Sequence, residues 1–79
     1  MRYDINKISD NIGRAIRVER VKRGMTQCEL ADLCNIGSST ISQAEHQQRM
    51  TKADTLLMIC NGLDMSIDEL IRKAEELTK

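Results

Sequence analysis

The chain has 79 residues, twelve basic and twelve acidic side chains, a formal net charge of zero, no proline and a single aromatic residue, Tyr3. That length leaves room for one domain only (1–79), near the lower limit for a self-supporting core. No apolar run approaches the roughly 18 residues of a membrane span, and the polar start MRYDINKISD is no signal peptide. The expectation is a soluble, cytoplasmic protein with no membrane partner.

The core must be Ile, Leu, Val, Met, Ala and Cys, and the abundance of Glu, Lys, Arg, Leu and Ala without proline predicts an all-α fold. Hydrophobic spacing predicts five helices. The first runs from about Ile8 to Arg23 on Ile8, Ile12 and Ile16, with Ser9 or Asn6 as cap and Gly24 as its end. The second starts at Thr26, where T-Q-C-E makes a capping box, and turns its Leu30, Ala31 and Cys34 inward. Asn35 follows, one of the few non-glycine residues that tolerate a left-handed turn.

The third helix is predicted from near Ser38 to Gln47, with Ile41, Ala44 and Glu45 on one side and Ser39, Gln43 and His46 roughly opposite. The fourth spans about Lys52 to Gly62, capped by Thr51, with Leu56, Ile59, Cys60 and Leu63 inward. The fifth opens at a second capping box, S-I-D-E from Ser66, and carries the stripe Ile67, Leu70, Ile71 and Ala74; Glu75 to Lys79 is expected to fray.

The three cysteines fit a reducing compartment, and Cys34 and Cys60 read as small buried apolar residues. Cys28 and Cys34 are separated by five residues and His46 is the only histidine, so no metal site is expected. No nucleophile–base pair, phosphate-cradling glycine loop or carboxylate dyad is visible; Asp68 and Glu69 are helix-start acids favoured by the helix dipole. The chain therefore reads as no enzyme and as needing no cofactor.

Zero net charge argues at first against nucleic acid, but the distribution is uneven. Met1 to Arg23 holds seven basic residues against three acidic ones, while the last third is acidic, and it is the local field that attracts phosphates. The middle of NIGSSTISQAEH offers Ser38, Ser39, Thr40, Ser42 and Gln43, short neutral hydrogen-bonders where a merely soluble helix would carry Glu and Lys. Two helices of eight to ten residues joined by the turn at 35–37 have the dimensions of a helix-turn-helix. Ala31 lets the two helices cross closely, Ile36 plugs the turn, and Ile41 anchors the third helix.

In IGRAIR, RGMTQCELADLCNIGSSTISQAE and TLLMICNGLDMSIDELI, in this order and spacing, the chain resembles the phage-repressor-like (Cro/XRE-type) helix-turn-helix family from about Ile12 to Ile71. The resemblance implies a compact five-helix lambda-repressor-like DNA-binding domain with its motif at about 26–46. The chain departs from that pattern at Asn35 and Gln47, where glycine is usual, at Gly37, where a serine commonly caps, and at Glu19, where an apolar residue is common.

The resemblance also implies roles. Gln27 would bond a phosphate and brace the reading helix. Ser38, Ser39 and Thr40 would take a phosphate or base at a helix N-terminus. Gln43 would pair with adenine, and Arg49, Lys52 and Arg14 would hold phosphates without specifying sequence. Arg20 and Glu45 would form an internal salt bridge. Taken singly, Ser38 reads equally as a cap, Gln43 as a solvated residue, His46 as an exposed helix-end residue rather than a base contact, and Cys28 as an exposed side chain.

The expected function is a sequence-specific double-stranded DNA-binding transcriptional regulator, a repressor, binding a palindromic operator as a homodimer through Met65, Ile67, Ile71 and Ala74. The rival is an interaction module of the same fold, an antitoxin or co-regulator, with an unidentified protein partner.

Overall fold

The computed structural model describes residues 5–46 and 52–77, which form α1 (Ile5–Lys22), α2 (Gln27–Cys34), α3 (Ser38–His46), α4 (Ala53–Leu63) and α5 (Ile67–Glu76). Among the described residues there is no strand, and no helix is long and apolar enough to cross a membrane.

The local signals explain most of the boundaries. Thr26 accepts from the Glu29 backbone N–H at 3.1 Å while the Glu29 carboxylate takes the Thr26 N–H at 3.0 Å, closing the expected capping box. Ser66 and Glu69 repeat the arrangement at α5. Asn35 adopts φ +60°, the left-handed conformation expected of it, and its N–H and that of Ile36 close the end of α2 onto Asp32 and Ala31. Gly24, at φ +68°, ends α1.

Four boundaries differ from the sequence reading, three of them in α1 and α4. The helix α1 begins at Ile5, so Asn6 and Ser9 lie inside it and cannot cap it; one isoleucine more extends the same apolar spacing backwards, and no breaker intervenes. The helix α4 has Lys52 at its N-cap with no side-chain cap bond, and the proposed cap Thr51 lies outside the described residues. It ends past Gly62, at Leu63, with Asp64 in the left-handed conformation at φ +56°. Gly62 is a packing residue instead: a Cβ there would collide with the Cys34 Sγ, so its absence lets α4 close on α2.

The core draws on every helix. Ile12, Ile16, Leu30, Ile41, Ile59, Leu63 and Leu70 are its largest fully buried side chains. The helix α1 packs along α5 on one side and across α3 on the other, and α2 bridges α3 and α4. Ile36 is half-buried against the core, as a turn plug should be. Ala74 is wholly buried, which removes it from any partner-facing surface: α5 turns Leu70 and Ala74 onto α1 and leaves Ile67 and Ile71 half-buried, with Met65 beside them. The helix α5 also runs on to Glu76, and Leu77 packs on the core, so the expected fraying does not start at residue 75.

Glu19, at an otherwise apolar position, is 5% exposed. It is neutralised by Lys22 of the same helix at 3.6 Å and by Arg23, the residue after the helix, at 2.9 Å. The hydrogen bond from Arg23 holds the Glu19 carboxyl below its ordinary titration range against the opposing effect of burial. Burial pushes the Cys34 and Cys60 thiols up, as expected of apolar fillers, while Cys28 is exposed.

Candidate nucleic-acid interface

The helix α3 has two unlike faces. Ile41, Ala44 and Glu45 are buried, whereas Ser38, Ser39, Gln43 and His46 are exposed and Thr40 and Ser42 are half-buried. At 3.6 residues per turn, Ser39 and Gln43 fall on one line facing away from the body. The Gly37 carbonyl accepts from the Thr40 and Ile41 N–H groups at 3.0 and 3.3 Å, closing the first turn. Such a helix start, with the hydroxyls of Ser38 and Ser39 exposed beside it, has the chemistry to receive an anion.

What aims this face is a polar network at the other end of α3. The Glu45 carboxylate receives Arg20 Nε at 2.6 Å and Arg20 Nη2 at 3.2 Å. The same Arg20 donates through Nη1 to the Met25 carbonyl at 2.7 Å, linking α1, the α1–α2 loop and α3. The fork is bidentate and charge-assisted, the strongest class of such bonds. Its hydrogen bond to Glu45 raises the Arg20 pKa further above its ordinary value, so the guanidinium stays charged. The salt bridge expected between these residues is thus present.

Gln27 adds a bond that the sequence reading missed: its Nε2 donates to Glu45 Oε1 at 3.1 Å. Because a carboxylate only accepts, the amide nitrogen must be the atom facing it. Gln27 therefore braces α3, as expected, but through Glu45. No local pattern marks this pairing, since the two residues are 18 apart in sequence.

Gly13 supplies the remaining restraint. A Cβ there would stand 2.6 Å from the Ala44 carbonyl oxygen and 2.7 Å from that of Glu45, so α1 touches the backbone of α3 directly.

Of the other expected phosphate ligands, Arg14 on α1 and Lys52 at the start of α4 are exposed, and Arg49 lies outside the described residues. Among the described residues no group of His, Cys, Asp and Glu could hold a metal ion.

A family model described as helix-turn-helix matches residues 16–70. The chain is 37% identical over 65 residues to the HTH-type transcriptional regulator ImmR of Bacillus subtilis (strain 168), a match spanning 82% of this chain and 51% of that protein. The chain thus spans about half the length of this curated relative. Among solved structures, the restriction-modification controller protein C.Esp1396I superposes with a TM-score of 0.79 at 26% identity, covering 91% of this chain and 96% of that one. The same controller bound to a 25 base pair operator site gives a TM-score of 0.78 at 27% identity, again covering 91% and 96%. The clp gene regulator ClgR of C. glutamicum shares the fold, with a TM-score of 0.80 at 22% identity over 91% of this chain and 94% of that one. With the motif, its turn and its buried anchor in place, the chain belongs to the phage-repressor-like (Cro/XRE-type) helix-turn-helix family.

Proposed function

We propose that this chain is a sequence-specific double-stranded DNA-binding transcriptional regulator, a repressor, that binds a palindromic operator as a homodimer. The observation that carries the reading is the outward face of α3, with Ser38, Ser39 and Gln43 exposed on a helix whose opposite side is anchored by Ile41 and tied down through Glu45. A controller of the same fold is known on its operator, which supports placing α3 in the major groove.

In this reading Gln43 pairs with the edge of adenine, an interaction worth about 1–3 kcal/mol in discrimination. Ser38, Ser39 and Thr40 meet phosphate or base at the helix start. Gln27 gives one amide N–H to Glu45 and the other to a phosphate, and Arg14, Arg49 and Lys52 hold the backbone on either side. Two copies joined through Met65, Ile67 and Ile71 would set their α3 helices about 34 Å apart, in successive major grooves.

The test is selection from a random duplex library at moderate salt, run in parallel on the protein and on Gln43→Ala. An enriched palindrome that loses its preference at one position per half-site in the variant supports the reading. No enrichment at any salt overturns it for this chain alone. The second reading, a protein-interaction module, is favoured by the exposed Leu33, Leu57 and Met58 on α2 and α4. Tight binding to a protein with none to DNA would establish it.

A further inference from the structure

The outward stripe of α3 does not stop at Gln43. Ser39, Gln43 and His46 follow one another at spacings of four and three residues, share a face, and are all exposed. From Ser39 to His46 the helix rises about 10 Å, roughly the height of three base pairs. A nine-residue helix, about 13 Å long, that lies along the major groove passes its last turn as well as its first over the base edges.

That last turn is also held closely by its neighbours. The carbonyls of Ala44 and Glu45 lie against Gly13, and the Glu45 side chain is fixed by Arg20 and Gln27. His46 is the next residue in the same helix, so its Cα–Cβ direction is set by a rigid seat while its ring stands free in solvent. An imidazole so placed offers a donor and an acceptor on a ring with two rotatable bonds, and can bond a base edge at a small cost in conformational freedom.

We propose that His46 is a third base-reading residue of α3, meeting a base edge about three base pairs from the one that Ser39 faces. This rests on the DNA-binding reading above. It revises the sequence-level view of His46 as a helix-end residue facing solvent alone.

The experiment adds His46→Ala and His46→Lys to the same library selection, with the affinity of each variant measured for the selected duplex carrying each of the four bases at every position. His46→Ala is expected to flatten preference at one further position per half-site, on the Gln43 side and away from Ser39, by about tenfold. Its helical content and melting temperature should match the wild type, because the side chain is exposed. His46→Lys should replace that preference with one for guanine at the same position, since a lysine at a base edge bonds O6 and N7. If wild type selects a site and His46→Ala selects the same one with every preference intact, or loses affinity equally for all sequences, the His46 assignment is overturned and the DNA-binding reading stands. If wild type selects nothing, both fall together.

Discussion

Removing either member of the Arg20–Glu45 pair should destabilise the domain unequally, and the order is fixed by burial. The Glu45 side chain is 1% exposed and that of Arg20 is 12% exposed. In Arg20→Ala the carboxylate is left inside with only the Gln27 N–H, and the Met25 carbonyl is deprived of its donor as well. In Glu45→Ala the guanidinium keeps Met25 and can swing its free edge toward water. Breaking a buried pair by deleting one partner costs about 3–5 kcal/mol, so Arg20→Ala belongs near the upper end and Glu45→Ala near the lower. For a domain of this size, total stability is about 4–12 kcal/mol, and each kcal/mol moves the melting temperature by about 4–8 °C. Glu45→Ala should therefore lower it by roughly 12–24 °C, and Arg20→Ala by more or to the point of unfolding. The double variant leaves no orphaned charge and should cost about 4 kcal/mol, well short of the roughly 8 expected if the sites were independent. Circular dichroism melts of the three variants read all of this. A double loss equal to the sum, or Glu45→Ala less stable than Arg20→Ala, would refute the reasoning.

Three further outcomes follow from the packing. Gly13→Ala gains about 1 kcal/mol of helix propensity but must push its methyl against two backbone carbonyls of α3, an overpacking that costs about 1–3 kcal/mol; a net loss of about 1 kcal/mol with weakened DNA binding is expected, and a more stable variant with unchanged binding would show that α1 and α3 can part freely. Glu19 has a depressed folded pKa, so its ion pairs stabilise above the unfolded value near 4.5 and are lost as pH falls through the lower folded value; acid titration of Glu19→Gln should show a shallower loss of stability below pH 4.5 than wild type. A maleimide should label the native protein once, at Cys28, and three times in denaturant, since Cys34 and Cys60 are buried with raised pKa values; mass spectrometry counts the adducts, and fast labelling of Cys34 in the native state would mean that the packing of α2 on α4 opens.

The elements legible in the sequence are those whose signals are local. Two capping boxes, Asn35 in its left-handed turn and the spacing of Ile8, Ile12 and Ile16 each depend on residues within a few positions of one another. Apart from the starts of α1 and α4, the misreadings concern the meeting of distant segments. Gly62 looks like a helix stop by composition, yet its function is set by Cys34 where α2 and α4 pack, and the stop itself falls to Asp64. Ala74 fits an apolar stripe equally well whether that stripe meets α1 or a second subunit, and only the packing of α5 decides. In the interface, the polar face of α3 is readable from residue type, whereas the bond from Gln27 to Glu45 depends on how α2 crosses α3.

The same internal pairing bears on charge. The basic first third of the chain suggests a phosphate-attracting end, but Arg20 and Arg23 are committed to Glu45 and Glu19. Of the exposed basic side chains outside these pairs, Arg14 and Lys52 are the proposed phosphate ligands, together with Arg49. Three phosphates neutralised per subunit make six per dimer, and at about 0.9 per phosphate the logarithm of affinity should fall against the logarithm of salt with a slope of about −5. Were Arg20 and Arg23 to abandon their carboxylates for the backbone, about ten neutralised phosphates would bring the slope to about −9. Titrations of the selected operator between low and physiological salt separate the two values. A slope near −5 that flattens by about 2 in Lys52→Ala, as each subunit lets go of one phosphate, means that the domain binds with its internal ion pairs intact. A slope near −9 means that the Arg20–Glu45 seat of α3 opens on DNA, and with it fails the premise that α3 is held in a fixed orientation to read bases.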